Sequence, residues 1–203
     1  MPELAPNYNV APTQPVYVVD ELSGKRQLRV VKWGLVPSWA KDASGMGRLI
    51  NARAESVDFK PSFRSAFART RCLVPATGWY EWKSVDADPK VKRPFYLHDP
   101  AARPLAFAGL LEAWRDPQSG EWLRTMAIIT TENCVELAQV HDRMPVVLDR
   151  EEWEQWLSPD SDPADLLALL NPTVPGRVAI FEVDRAVNSI RNNGPQLIEP
   201  LAP

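Results

Sequence analysis

Side chains that can move protons occur in three short segments that are otherwise rich in apolar residues. The segments are 51–55, 78–82 and 140–145, and they contain Glu81 and His141. A carboxyl and an imidazole are general acid–base groups, and the imidazole titrates near neutral pH. Burying such groups without partners is costly, so they form either a mutually satisfied structural cluster or an active-site cleft. Residue type alone leaves both interpretations open and favours the structural cluster.

Several familiar catalytic motifs are missing from the sequence. It contains no G-x-S-x-G, G-x-x-x-x-G-K-[ST], G-x-G-x-x-G or H-E-x-x-H pattern, which argues against the corresponding hydrolases and nucleotide-binding proteins. Two histidines, His98 and His141, and two cysteines, Cys72 and Cys134, lack the spacing of a structural zinc site. We therefore expect no metal and no cofactor, and we expect both cysteines to be reduced and buried.

Length and charge narrow the class of protein. The 203 residues fit one domain, and the net charge of −3 argues against a protein that coats nucleic acid by bulk attraction. Six basic and two acidic residues from Arg48 to Arg71 nevertheless give a local charge of +4, which suits phosphate. No segment approaches the roughly 18 apolar residues of a spanning helix, and the N-terminus does not resemble a signal peptide. We expect a cytoplasmic monomer without a membrane partner.

Hydrophobic patterning predicts a hairpin near the start of the chain. Residues 16–21 and 27–34 are β-rich runs joined by 22–26, which contains a Ser-Gly turn signal. The glycines and proline of 35–47 predict a loop that carries Trp39.

The middle of the chain predicts a short helix and then a strand that carries the acid. Pro61 can start a helix whose apolar positions follow helical spacing, ending before a strand at 72–74. In the strand 78–82, alternation places Trp79 and Glu81 on one face and the other two aromatic residues on the opposite face.

The second half predicts further strands and short helices. Strands are expected at 95–98, 105–111, 124–130 and 178–183, with a possible bulge at Gly109, and helices at 132–139, 151–157 and 164–170. The tail 187–203 predicts an extended surface strap. This order indicates a single α+β domain over 1–203: a curved, mostly antiparallel or mixed, barrel-like sheet of six or seven strands with short peripheral helices.

Seven motifs carry a resemblance to a known family. In order they are YNVAPTQPVYVV, WGLVPSWA, INARAE, RCLVPATGWYEW, IITTEN, HDRMPVVL and VNSIRNNGPQLIEP. Together they resemble the SOS response-associated peptidase family across nearly the whole chain. The resemblance implies a DNA-repair protein that covalently traps abasic sites in single-stranded DNA. It also implies the chemistry: the α-amine of an N-terminal cysteine attacks the sugar aldehyde, and the thiol closes a thiazolidine.

The resemblance also implies roles for particular residues. Glu81 would relay protons, His141 would assist sugar ring opening and stabilise the imine, and Asn51 would orient the N-terminal residue. Arg53 and Arg143 would contact phosphates, and the residues expected to stack on or wedge bases are Trp33, Trp39 and Trp82. Structural alternatives remain for these: His141 capping a turn, the arginines pairing with Glu55 and Asp142, and the tryptophans pinning loops.

The start of the sequence departs from the family pattern. Family chains begin Met-Cys-Gly-Arg, whereas here Pro2 follows Met1 and the Tyr8-Asn9 motif comes soon after. We expect the family's N-terminal segment with its cysteine to be missing through a misassigned start or truncation, leaving this form inactive in crosslinking. The peptidase name would reflect self-removal of residues before that cysteine. The rival hypothesis is a non-catalytic module that binds single-stranded or junction DNA through the 48–71 segment and the tryptophans.

Overall fold

A computed structural model describes residues 3–22, 24–85, 88–134, 137–172 and 176–201. The strands are β1 (Pro15–Leu22), β2 (Lys25–Trp33), β3 (Asn51–Arg53), β4 (Arg71–Ala76), β5 (Gly78–Val85), β6 (Asp88–His98), β7 (Leu105–Arg115), β8 (Trp122–Glu132), β9 (Arg143–Pro145) and β10 (Ala179–Glu182). The α-helices are α1 (Arg64–Arg69), α2 (Trp153–Leu157) and α3 (Pro163–Ala168). None of the helices within these ranges is long and apolar enough to cross a membrane.

Five strands close into a ring. Their order is β2-β1-β4-β7-β8, and β2 returns to pair in parallel with β8 at Lys32↔Thr125 and Trp33↔Met126. Closure supplies hydrogen-bond partners for the backbone N–H and C=O groups that an open sheet would leave unpaired at its edges. β3 and β9 extend the same sheet along β8, in parallel and antiparallel orientation. The prediction of a single α+β domain with a curved, mixed, barrel-like sheet is confirmed.

A second sheet carries the predicted acid. β5 pairs antiparallel with β6, and β6 pairs antiparallel with β10, so these three strands form a layer separate from the ring. The sequence did not predict this second sheet, because periodicity marks strands but not their partners. Trp79 joins the two layers, since its indole packs edge-on against the side chain of Phe107 on β7, with the aromatic centroids 5.7 Å apart.

Alternation along the strands divides the core into two clusters. On β4, Cys72 and Val74 face the cluster inside the ring, whereas Leu73 faces the outer cluster under the helices. Phe67 and Trp156 are buried on that outer side, where they fix α1 and α2 to the sheet. Burying an aromatic or leucine side chain contributes about 1.5–3 kcal/mol, so the short helices are held by packing and not by their own length.

The predicted short elements are otherwise close to their observed positions. The first hairpin is confirmed, and the buried face of α1 contains Ala66 and Phe67 as expected. The helices predicted at 151–157 and 164–170 are observed as a 3₁₀ turn leading into α2 and as α3. Cys72 is buried as predicted, whereas Cys134 is half-buried.

The helix predicted at 132–139 is wrong for the residues that are described. β8 continues through Glu132, which pairs with Arg143, and residues 137–140 form turns. Residues 135 and 136 lie outside the described part of the chain. The ladder to β9 supplies backbone hydrogen bonds from a distant segment, and these outweigh the local capping signal of Thr131. As a result, His141 lies two residues before β9.

Arg71 does not belong to the basic surface that was expected for the 48–71 segment. It is buried, and its guanidinium donates to the carbonyls of Trp156, Phe67 and Ser158. Since these carbonyls come from the ends of α1 and α2, Arg71 ties both helices to β4. It is therefore not available to bind phosphate, and the 48–71 segment is less basic at its surface than its composition suggests.

The C-terminal tail is packed more tightly than an extended strap. Its described part contains 3₁₀ turns at Arg185–Asn188 and Pro195–Ile198, and Val187 and Leu197 are buried. Asn9 holds it against the N-terminal segment by donating to three of its carbonyls.

Gly109 does not mark a bulge, because strand register is continuous through it on both sides. A Cβ at this position would lie 2.8 Å from Cys72 Sγ and 2.8 Å from Val74 Cγ2, so the glycine allows close packing inside the ring.

Gly109→Ala should therefore lower the free energy of unfolding by about 1–3 kcal/mol, the usual cost of overpacking a core. Gly45→Ala is the matched control, because a Cβ there meets nothing within 4 Å and its φ of −82° suits alanine. Urea denaturation of both variants measures the effect. Equal stabilities of the two variants would contradict this account of Gly109.

Candidate functional site

The site is a cleft of about 1360 Å³ between the ring and the β5 sheet. The N-terminal segment 4–12 forms one part of its wall. Seven of the eight residues proposed from sequence line it: Asn51, Arg53, Glu81, His141, Arg143, Trp33 and Trp82. Trp39 is not among the lining residues and is 67% exposed on the loop after β2. The fold therefore gathers four segments that are far apart in sequence.

Glu81 and His141 form the chemical centre of the cleft. The Glu81 carboxylate lies 3.8 Å from His141 Nδ1. The Glu81 side chain is only 17% exposed, whereas that of His141 is 44% exposed. The acid is therefore withdrawn from water while the imidazole faces the space that a ligand would occupy.

Burial sets the proton affinity of Glu81. Loss of solvation raises the pKa of its carboxyl from 4.5 to about 7, against the opposing effect of His141 and a smaller one from the Trp79 indole. Asp142 raises the pKa further by like-charge repulsion. A carboxyl with this pKa is present in both protonation states at neutral pH, so it can either give or take a proton.

A backbone turn fixes the position of His141. Its Nδ1 accepts from the Arg143 amide at 3.1 Å and lies 3.0 Å from the Arg143 carbonyl, to which it would donate when protonated. Asn133 braces the turn, because its side-chain amide donates to the His141 carbonyl at 3.0 Å and its backbone amide donates to the Asp142 carbonyl at 2.9 Å. Sequence reasoning did not single out Asn133, although an asparagine directly after a strand is a known signal for such a turn.

Arg143 is held by an ion pair at the edge of the cleft. Its guanidinium makes two hydrogen bonds to the Glu55 carboxylate, at 3.0 and 3.1 Å, and donates to the Thr130 carbonyl at 2.6 Å. Burial alone would raise the pKa of Glu55, but the hydrogen bonds from Arg143 and its charge hold that pKa below the usual range. The structural alternative for Arg143, pairing with Glu55, is thus observed.

Arg53 and Asn51 reach the cleft from β3. β8 is their scaffold, since Asn51 pairs with Ile128 and Arg53 with Thr130. Both side chains are exposed, and within the described ranges Arg53 makes no ion pair. Arg53 is therefore the arginine of the cleft that is free to meet an anion.

Tryptophans form aromatic walls of the cleft. Trp33 donates its indole N–H to the Ile50 carbonyl at 2.9 Å, which ties β2 to the start of β3. Trp82 donates to Asn188 Oδ1 at 2.7 Å and lies beside Tyr80, with ring centroids 6.4 Å apart. Trp82 and Tyr80 share one face of β5, as alternation predicted.

Across the described ranges, no group of three or more His, Cys, Asp or Glu side chains could hold a metal ion.

The raised pKa of Glu81 predicts a pH-dependent stability. Because the folded protein holds this proton more tightly than the unfolded chain, the stabilisation is present below pH 4.5 and is lost as the pH rises through about 7. Glu81→Gln has no ionisable carboxyl at this position, so its free energy of unfolding does not show this loss. The stability of the variant relative to wild type should therefore increase by up to about 3 kcal/mol between pH 4 and pH 8, at about 1.4 kcal/mol per pKa unit.

Urea denaturation at the two pH values measures this change. Glu121→Gln, at an exposed position outside the cleft, is the control and should show no such difference. A pH dependence in Glu81→Gln identical to that of wild type would show that Glu81 has an ordinary pKa.

Comparisons with known proteins identify the family of this chain. A family model described as SOS response associated peptidase (SRAP) matches residues 1–190. The abasic site processing protein YoqW of Bacillus subtilis (strain 168) is 42% identical over 198 residues, covering 97% of this chain and 87% of that protein. The abasic site processing protein HMCES of Xenopus tropicalis is 32% identical over 222 residues, covering 94% of this chain and 65% of that protein.

A solved structure shares the fold. The crystal structure of a protein from Bacteroides thetaiotaomicron has a TM-score of 0.84 and 28% identity, covering 94% of this chain and 82% of that one. The family match over most of the sequence, together with the identity to YoqW, shows that this chain belongs to the SOS response-associated peptidase family.

Proposed function

We propose that this protein processes abasic sites in single-stranded DNA by forming a covalent adduct with the sugar aldehyde. The observation that carries the proposal is a carboxyl with a pKa of about 7 beside an imidazole, inside a cleft of about 1360 Å³. The names of the relatives YoqW and HMCES, which are called abasic site processing proteins, supply the substrate class.

The proposed nucleophile is the α-amine of an N-terminal cysteine on a form of the chain that begins Met-Cys-Gly-Arg, as the family pattern implies. An α-amine has a pKa near 8, so a useful fraction is neutral at pH 7.5, unlike a lysine side chain. Cys72 cannot replace it, because this thiol is buried and burial raises its pKa. An internal cysteine such as Cys134 also has no free α-amine with which to close a thiazolidine.

Each step needs a proton at a definite place. The amine adds to the aldehyde carbon to give a carbinolamine, and protonated Glu81 gives its proton to the departing hydroxyl, so that water leaves and an imine forms. The thiol then adds across the C=N bond, with its proton passing to the nitrogen, which closes the thiazolidine. Glu81 ends the step protonated, because the nitrogen gives its N–H proton to the Glu81 carboxylate as the imine forms.

His141 and Asn51 would act before and during these steps. His141 is exposed enough to reach the closed sugar, and its imidazole can take the ring hydroxyl proton to open it to the aldehyde. Asn51 has both an amide donor and a carbonyl acceptor at the cleft surface, which suits it to orient the N-terminal residue.

Phosphate binding would begin at Arg53, which is exposed and unpaired within the described ranges. The Arg143 guanidinium is already paired with Glu55, so a phosphate would have to compete with that carboxylate for it. Trp33 and Trp82 would stack on bases within the cleft, and Trp39 would meet a flanking base outside it; each stacked base is worth about 1–3 kcal/mol. Self-removal of residues before the cysteine would account for the peptidase name.

Crosslinking to DNA tests the proposal. The 203-residue chain and a version that begins Met-Cys-Gly-Arg are incubated with single-stranded DNA containing one abasic site, and adducts are separated on a denaturing gel. We expect an adduct only with the extended chain, slowed about 100-fold or more by Glu81→Gln, since general acid–base catalysis typically contributes 10²–10⁴-fold.

Glu121→Gln is the matched control and should crosslink at the rate of the unsubstituted chain. DNA with a tetrahydrofuran in place of the abasic sugar has no aldehyde and should give no adduct. If the extended chain binds abasic DNA but forms no adduct, the protein is a non-catalytic binding module and the proposed chemistry is wrong.

A further inference from the structure

The indole N–H of Trp79 is an unsatisfied buried donor. It is shielded from solvent, and no acceptor within the described ranges lies in hydrogen-bonding geometry to it. The other buried or half-buried tryptophans each donate to an oxygen: Trp33 to Ile50, Trp82 to Asn188, Trp114 to Ala40, Trp153 to Leu148 and Trp156 to Cys72. Trp39 and Trp122 are largely exposed, so water can serve them. A buried donor left unsatisfied is costly and needs an explanation.

Two features direct this donor toward Glu81. Trp79 and Glu81 are two residues apart on β5, so their side chains leave the same face of the strand. The ring of Trp79 is fixed edge-on against Phe107, at 86° and 5.7 Å between centroids. The N–H is close enough to the Glu81 carboxylate to lower its pKa, yet it stays outside hydrogen-bonding geometry.

We propose that Trp79 is a positioning residue whose indole N–H is held ready for the ionised form of Glu81. When the carboxyl gives up its proton, a small shift of the side chain lets one oxygen accept from Nε1. The indole keeps its proton throughout. The negative charge on Glu81 is thereby stabilised inside the cleft at the stage of the reaction in which it forms, because hydrogen bonds to charged groups are the stronger ones.

Two charged or titratable groups face Glu81 from the opposite wall. They are His141, at 3.8 Å, and Asp142 beside it. On the neighbouring strand β6 the position paired with Glu81 is the apolar Phe95. Trp79 is thus the neutral donor of the set, and its contribution can be separated from theirs by removing the N–H alone.

The inference rests on the proposed function for its catalytic meaning, but its test does not need DNA. In Trp79→Phe the aromatic ring remains and the N–H is lost. We expect the pKa of Glu81, followed by the ¹³C resonance of its carboxyl in the 203-residue chain, to rise by about one unit or more. Glu81→Gln assigns the resonance. Trp114→Phe, which loses a buried indole N–H elsewhere, is the control and should leave the titration unchanged.

A second readout uses the unsubstituted protein, in case Trp79→Phe does not fold. The indole Hε1 resonance of Trp79 should move downfield as the pH rises, with the same midpoint as the Glu81 carboxyl, and this movement should vanish in Glu81→Gln. An Hε1 resonance that does not move as Glu81 ionises would overturn the inference. Equal changes in the pKa of Glu81 in Trp79→Phe and Trp114→Phe would also overturn it. Either result would leave the crosslinking proposal standing, and failure of crosslinking would leave this titration unaffected.

Discussion

The arrangement of the cleft depends most on one constraint, the burial of the Glu81 carboxyl away from water. A solvent-exposed glutamate is fully ionised at neutral pH. In the cleft, the loss of solvation outweighs the attraction of His141 at 3.8 Å and brings the pKa of Glu81 to about 7. If the imidazole were nearer and the site wetter, the pair would be an ordinary ion pair. If His141 were absent, the pKa of Glu81 would be higher, because the imidazole opposes the effect of burial.

The fold provides this environment by joining two layers. Closure of the ring through β2 and β8 fixes β8, and β8 carries β3 along part of its length and β9 at its end. The β5 sheet then lies across the ring with Trp79 against Phe107. The acid therefore comes from the β5 sheet and the imidazole from the turn before β9, and packing of the two layers sets the distance between them.

Local sequence patterns predicted the parts of this arrangement that depend on near neighbours. Alternation on β5 was enough to place Glu81 and Trp79 on one face, and a Ser-Gly turn was enough to predict the first hairpin. Pairing at long range was not predictable in this way. The ladder between Thr131 and Met144 replaced a predicted helix, and it is this ladder that forms the His141 turn. Burial of Arg71 and the satisfaction of its guanidinium by three carbonyls also depend on tertiary packing.

Residue roles required the family resemblance, and the structure adds what the resemblance did not contain. The motifs pointed to Glu81, His141 and Asn51, but residue type could not show that Arg143 pairs with Glu55 while Arg53 makes no ion pair with any described residue. Nor could it show that Asn133 braces the histidine, or that the Trp79 indole N–H has no acceptor in the described part of the chain. These features depend on distances of a few ångströms between residues from different segments.

The most direct test is a crystal structure of the chain with single-stranded DNA that contains a tetrahydrofuran in place of one nucleotide. We predict that the tetrahydrofuran ring lies within hydrogen-bonding reach of both Glu81 and His141, with an adjacent phosphate at Arg53. A strand bound elsewhere, with the cleft between Glu81 and His141 left empty, would contradict it.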